Sequence, residues 1–294
     1  MAKSIKNARC SFITKLVGFV VLGTAILAIS VSPLMAQKVI GLQLYSVRYS
    51  MSVSPERTIK AVAKMGYKYV EAAGYNDGMF YGMTPKAFKA LLKSNGIYML
   101  SSHAGQSAPD AAKWDETMAW WDKCIDAHIE AGAKYIIQAS MDGSAYASLA
   151  GAKRYSEYFN AVGAKCKAKG ILFGYHNHDK EFADIDGTTV EDYLLQNTDP
   201  SKVFFQLDLW WIHVSGKKAL DYFNKYPGRF VFYHVKDEEE VGASGKIDFK
   251  PYFVNAKKAG TKYFIVEAEK SSVGNSLESA KKSLDFLMKA KYVK

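Results

Sequence analysis

Four residues, His176, Asp208, His234 and Glu267, each close a short apolar run. The runs read Ile171-Leu-Phe-Gly-Tyr-His176, Phe204-Phe-Gln-Leu-Asp208, Phe230-Val-Phe-Tyr-His234 and Tyr263-Phe-Ile-Val-Glu267. Runs of this length bounded by turn residues predict buried strands. Each strand then delivers one imidazole or carboxylate at its C-terminal tip. Two imidazoles and two carboxylates suit one divalent ion, from among Mn, Co, Zn, Fe and Mg. A single His or Asp after a strand is ordinarily a helix cap or a satisfied polar side chain. Four in succession are the reason to read a metal site.

Other polar residues fall at the same kind of position. Gln43 and Tyr45 close a first run, Glu71 a second and Gln138 a fourth, and His103 follows a third. Gln43, Tyr45, His103, Gln138 and Trp211 are read as substrate contacts. Glu71 is read as a base or an acceptor for a sugar hydroxyl, with a lysine partner as the plain alternative. His178 is two residues beyond His176, so on a strand both face one side, which makes His178 a proton shuttle. Lys236 shares the parity of His234 and would stabilise an oxyanion. Glu267 is read both as a ligand and as a base. Trp210, Trp211 and Tyr75 are stacking platforms or core packing. His128 lies mid-helix and reads as structural, and His213 has no assigned role.

The elements that must position these residues follow a repeat. Further strand-like runs at 39–45, 67–71, 97–102 and 134–138 make eight, about thirty residues apart, as in a barrel of ~250 residues. Helical patterns fill the gaps. Ser54-Pro55 and Thr84-Pro85 are helix starts, and Gly66, Gly96, Gly132, Gly170 and Gly260 are stops. Strict alternation predicts a parallel sheet. Eight units favour a single α/β domain, a closed (β/α)8 barrel over residues 37–294, rather than an open doubly wound sheet. In such a barrel the C-terminal strand ends converge on one mouth.

Residues 1–36 read as a signal peptide. Lys3, Lys6, Arg9 and Lys15 precede an uncharged, mostly apolar run at 16–31, and Ala36 offers a cleavage site. An uncleaved anchor is the alternative. Cleavage predicts a periplasmic or secreted protein with no stable membrane insertion. The whole chain has 39 Lys and Arg against 29 Asp and Glu, a net charge of +10. The first segment holds four of those cations and no acid, so the mature charge is +6. The remaining lysines are dispersed, which reads as a solvated surface and not a nucleic-acid track. Cys124 and Cys166 read as buried free thiols. No Gly-rich dinucleotide fingerprint follows any strand. Gly242-Ala-Ser-Gly-Lys246 lacks phosphate-loop spacing and is expected to shape the rim after strand seven.

Several segments resemble the xylose isomerase-like TIM barrel superfamily, the group called sugar phosphate isomerases/epimerases. They are Gly41-Leu-Gln-Leu-Tyr-Ser-Val-Arg48, Tyr175-His-Asn-His-Asp179, Leu207-Asp-Leu-Trp-Trp211, Pro227-Gly-Arg-Phe230, His234-Val-Lys-Asp237 and Val266-Glu267. The resemblance covers nearly all of residues 38–290. It implies that Asp208, His234 and Glu267 occupy the metal-ligand positions of strands six to eight. Ketose 3-epimerases and hydroxypyruvate isomerases of this superfamily place a glutamate on strand five, as ligand and base. Here His176 stands there. Other relatives are inosose dehydratases and enzymes that cleave 3-keto-glycosides by elimination.

The expectation is a divalent-metal-dependent sugar isomerase/epimerase-type enzyme that removes a proton next to a carbonyl of a sugar or keto-sugar. Its alternatives are a lyase or hydrolase of 3-keto-glycosides, an endonuclease IV-like nuclease and a non-catalytic sugar-binding barrel. The expected partner is a small-molecule sugar, with no nucleic acid. A homo-oligomer is compatible with the sequence and not required by it.

Overall fold

A computed structural model describes residues 39–294, so the segment read as a signal peptide lies outside the described residues. Eight strands there pair in parallel, each with its neighbours in chain order, and the last closes on the first. They are β1 (Ile40–Gln43), β2 (Tyr69–Ala72), β3 (Tyr98–His103), β4 (Tyr135–Gln138), β5 (Leu172–His176), β6 (Val203–Asp208), β7 (Phe230–Lys236) and β8 (Tyr263–Glu267). The alternating order expected from the sequence is therefore a closed (β/α)8 barrel.

Period-2 alternation gives the barrel a dry floor and a polar mouth. Along β6 one face carries Phe204, Gln206 and Asp208; along β7, Phe232, His234 and Lys236; along β8, Tyr263, Ile265 and Glu267. Leu100, Tyr135, Ile137, Phe204, Phe232 and Ile265 form a separate apolar cluster inside. Full burial of such a side chain stabilises by roughly 1.5–3 kcal/mol, so this plug holds the interior together beneath the charged groups. Gly174 on β5 makes room for it, because a Cβ there would lie 2.4 Å from the Phe204 ring. A second, larger core packs the outward strand faces against the helices.

Helix punctuation follows the predicted signals. Ser54 caps Pro55–Met65 and Thr84 caps Pro85–Ser94, each accepting a backbone N–H with proline behind it. Gly66 and Gly132 end their helices in the left-handed conformation that glycine tolerates. The helix expected over 251–258 is instead split into Lys250–Val254 and Ala256–Ala259. Asn255 sits at the break, where its Nδ2 donates to Pro251 O at 2.8 Å and competes with the helix ladder.

Three other details depart from expectation. β1 stops at Gln43, whose Oε1 accepts Tyr45 N at 3.0 Å and turns the chain into the 3-10 turn Leu44–Val47. β5 stops at His176, so His178 follows the strand instead of sharing its face. Two short hairpins, Tyr75–Asn76 with Met79–Phe80 and Asp184–Ile185 with Thr188–Thr189, had not been foreseen. Asp-Gly pairs at 77–78 and 186–187, all with positive φ, turn them.

Cys124 and Cys166 are buried and free, as expected. His128 is structural: it packs on Tyr75 and Phe80, lies with Nδ1 2.7 Å from Cys124 O, and burial pushes its pKa down to about 4. Among the described residues no helix is long and apolar enough to cross a membrane.

Candidate metal centre

The tips of β5 to β8 meet. His176, Asp208, His234 and Glu267 each offer a ligand atom, and the four atoms lie within 4.8 Å of one another. All four residues are buried. His234 Nδ1 is 3.5 Å from Glu267 Oε2 and 3.9 Å from Asp208 Oδ2. The His176 and His234 rings are 4.5 Å apart. His176 Nδ1, Asp208 Oδ2 and His234 Nδ1 are buried without a hydrogen-bond partner. Each such orphan costs about 1–3 kcal/mol. Three of them in one cluster of lone-pair donors fit a divalent cation, which would satisfy all three at once.

The surrounding groups fix the orientation of these ligands. Asp208 Oδ1 accepts Trp210 N and Trp211 N, both at 2.9 Å. One oxygen thus caps the helix Leu209–Val214 and leaves the other for the centre. Asn177 Oδ1 accepts Asp208 N at 3.1 Å and ties β5 to β6. His234 Nε2 is 2.6 Å from Glu71 Oε1. A carboxylate accepts, so Nε2 carries a hydrogen and Nδ1 is the nitrogen that faces the cluster. This carboxylate–imidazole pairing is the usual support of a metal-bound histidine. Glu71 also accepts Gln43 Nε2 at 2.8 Å, Ser101 Oγ at 2.7 Å and Gln206 Nε2 at 2.9 Å, and pairs with His103 Nε2 at 2.9 Å. His103 Nε2 lies 2.9 Å from Gln206 Oε1 as well. His103, His176 and His234 also form a close trio, but Nε2 of His103 is already engaged.

Charge follows from this arrangement. Burial opposes the Glu71 charge, yet His103 and His234 hold its carboxyl well below the usual range. Burial works to lower the His234 pKa, but Glu71 and Glu267 push it up to about 10. Without a cation in the cluster this favours a second proton, on Nδ1 facing Glu267, and a divalent ion bound at that nitrogen would take the proton's place. Burial pushes Asp208 up to about 6, partly offset by Lys236. Glu267 is equally buried but is held below the ordinary range by Lys236 and His234. The two neighbours shift oppositely because an ammonium lies 3.1 Å from Glu267, whereas Asp208 Oδ2 has no hydrogen-bond partner. Burial, then His234 and His178, push His176 down.

The remaining predicted residues divide. His178 stays at the mouth, its ring 4.9 Å from that of His176 and 5.7 Å from that of Trp211. Burial lowers its pKa against the pull of Glu181 and Glu267, which favours the neutral imidazole. Glu181, buried, accepts His178 N at 2.9 Å and holds the loop. Lys236 is buried, paired with Glu267 and Glu269, and lies 4.8 Å over the Trp211 ring. Burial works against its charge, but Glu267 and Asp208 raise its pKa, so it stays protonated. Trp211 Nε1 is buried without a partner. Gln43 and Glu71 sit beneath the mouth. Gln138 donates to Gln106 O and Ser140 O. Tyr45 is on the rim, 43% exposed, with Arg48 over its ring. Tyr75 packs on the barrel exterior with Trp120 and His128, and Trp210 meets His213. In the loop after β7, Asp237 accepts Gly242 N at 3.0 Å and Lys246 pairs with Glu238, so this glycine-containing segment shapes the rim as expected.

Sequence reasoning did not pick out Ser101, Asn177, Glu181, Gln206 or Glu269. Gln206 was within reach, because it is two residues before Asp208 and so one layer down on the same face.

Comparison with known proteins places the fold in a family. An inosose dehydratase of Lacticaseibacillus casei is 27% identical over 274 residues, covering 80% of this chain and 89% of that protein. The crystal structure of a sugar phosphate isomerase/epimerase from Parabacteroides distasonis superposes with a TM-score of 0.82 at 31% identity, covering 90% of this chain and 98% of that one. The IolI protein, solved with a bound zinc atom, shares the fold with a TM-score of 0.65 at 12% identity, covering 84% of this chain and 95% of that one. Residues 59–290 match the family described as the xylose isomerase-like TIM barrel, and the chain belongs to that family.

Proposed function

We propose that this protein is a divalent-metal-dependent enzyme that removes a proton next to the carbonyl of a keto-sugar and expels a β-substituent. The observation that carries the reading is a division of labour at the mouth. Four ligand-type groups share one space, while His178, outside that set, presents an imidazole 4.9 Å from the His176 ring. A divalent ion held by His176, Asp208, His234 and Glu267 would polarise the carbonyl and stabilise the negative charge that develops on its oxygen.

The chain's own groups do the rest. His178 takes the proton from carbon on an imidazole nitrogen. The C–H electron pair becomes part of a carbon–carbon double bond as the C–O bond to the β-substituent breaks. The leaving oxygen departs with that bond's electron pair and takes up the proton carried by His178. Lys236 keeps a fixed positive charge beside the cluster and favours the build-up of negative charge. Trp211 walls the mouth.

Elimination is preferred to epimerisation because epimerisation needs competent groups on both faces of a planar intermediate. Here the other polar groups are engaged. Both Glu71 oxygens accept hydrogen bonds, His103 Nε2 is shared by Glu71 and Gln206, and Lys236 is held in two ion pairs. The likeness to inosose dehydratase supports this order. Isomerisation or epimerisation is the second reading, supported by the Parabacteroides distasonis likeness. Incubation of metal-loaded protein with 3-keto-glycosides and with free ketoses in deuterated water separates them. Release of the aglycone with an unsaturated sugar supports elimination, and deuterium wash-in with inverted configuration and an intact skeleton supports epimerisation. Neither product from a fully metal-loaded protein would argue for a binding barrel.

The proposal includes export directed by residues 1–36, which favours free sugars and glycosides over phosphorylated metabolites. N-terminal sequencing of protein from its native host checks this, with a start at or near Gln37 expected and an intact Met1 in the cytoplasm contradicting it.

A further inference from the structure

Next to the cluster, on the β3–β4 side, a cleft of about 450 Å³ opens between the loops 104–107 and 139–142. His103 lines one end, and its ring is 5.1 Å from that of His176 and 5.2 Å from that of His234. The cleft therefore begins where the metal-facing groups end. Its volume is within the roughly 300–1,000 Å³ of small-molecule sites.

Buried side chains brace both walls. Gln138 Nε2 donates to Gln106 O at 2.9 Å on one wall and Ser140 O at 2.8 Å on the other. Tyr158 OH reaches Gln106 O at 3.1 Å from below. Tyr155 OH donates to Asp142 Oδ2 at 2.6 Å and accepts Asp142 N at 2.9 Å. Gly105 is fitted to this brace, because a Cβ there would lie 2.6 Å from Gln138 Cγ. Three side chains fixing two loops make a preformed cleft and not a gap between mobile segments.

The chemistry of the wall selects its occupant. Asp142, Ser107 and Ser140 contribute a carboxylate and two hydroxyls, and no Lys or Arg lines the cleft. The nearby Arg154 is turned to Ser144 and Asp142. The Asp142 carboxylate is already held by Ser144, Tyr155 and Arg154, so the wall offers the two serine hydroxyls and no unpaired cation, which disfavours a phosphate and suits the hydroxyl groups of an uncharged ring.

We propose that this cleft binds the second, uncharged polyhydroxylated ring of a glycoside whose reacting ring lies over His176, Asp208, His234 and Glu267. The assignment rests on the keto-sugar reading and narrows it: the substrate is a two-ring sugar, not a sugar phosphate or a free monosaccharide.

Binding without turnover tests it, so its outcome is independent of the elimination assay. Manganese-loaded protein is titrated calorimetrically with cellobiose, maltose, sucrose, trehalose, glucose and glucose 6-phosphate. At least one disaccharide should bind ten-fold or more tightly than glucose, and glucose 6-phosphate no more tightly than glucose. Ser140 and Ser107 are exposed, so Ser140→Trp and Ser107→Trp can fill the cleft from its edges. Each should bring the disaccharide down to the parent's affinity for glucose while the protein keeps its manganese, which shows the fold and the centre intact. Equal binding of all the sugars, a preference for the phosphate, or an undiminished disaccharide preference in both variants would overturn the assignment.

Discussion

His234 Nε2 lies 2.6 Å from Glu71 Oε1, a contact made across 163 residues of sequence. Glu71 is not one of the four ligand-type residues that face the centre. It determines which nitrogen of His234 does. Replacement of such an outer partner usually costs 10–100-fold in metal affinity. Glu71→Gln should raise the dissociation constant for zinc or manganese by about that factor, as read by competition with a chromogenic chelator. An unchanged constant would remove Glu71 from the metal account.

His178 is placed to move a proton and not to hold the ion. His178→Ala should therefore keep its metal and lose about 10²–10⁴-fold in rate on a 3-keto-glycoside. Elemental analysis and initial rates on the same preparation check both halves. A wild-type rate would shift the base role to Glu267.

Glu191 offers a stability test away from the mouth. It is fully buried in the helix Val190–Asn197, and neither of its oxygens has a hydrogen bond. Burial, then Glu181 and Asp192, raise its pKa well above 4.5, against the pull of Arg229. A carboxyl raised on folding supports the fold fully below its unfolded value, and that contribution is lost as pH rises through the folded value. Glu191→Gln removes the buried charge. The variant should be more stable than the parent at pH 8, with the gain shrinking toward pH 4, in urea melts at both pH values. A variant less stable at pH 8 would mean that the charged carboxylate has a favourable role.

Much of the centre is legible in the sequence. A barrel converts the ends of apolar runs into one mouth, so His176, Asp208, His234 and Glu267 could be brought together from type and position alone. Lys236 followed from its parity with His234. Residues decided by local hydrogen bonds were harder. Tyr45 left its strand because the Gln43 side chain caught its amide, and His178 left its strand where Glu181 caught its own. The layer under the ligands was hidden for another reason. Gln206, Ser101 and Glu71 meet only once the strands are registered, and shifts between Phe205 and Gln206 and between Val70 and Glu71 are not written in any periodicity. The two hairpins did carry a readable signal, an Asp-Gly pair each, at 77–78 and 186–187.

The central claim is that four strand tips hold one divalent ion. Metal content by mass spectrometry of gently purified protein tests it most directly, in the parent and in Asp208→Ala and Glu267→Ala. Each variant removes a charged ligand and leaves an incomplete shell. The account predicts about one ion per chain in the parent and little or none in either variant. Full retention of metal in both variants would contradict it.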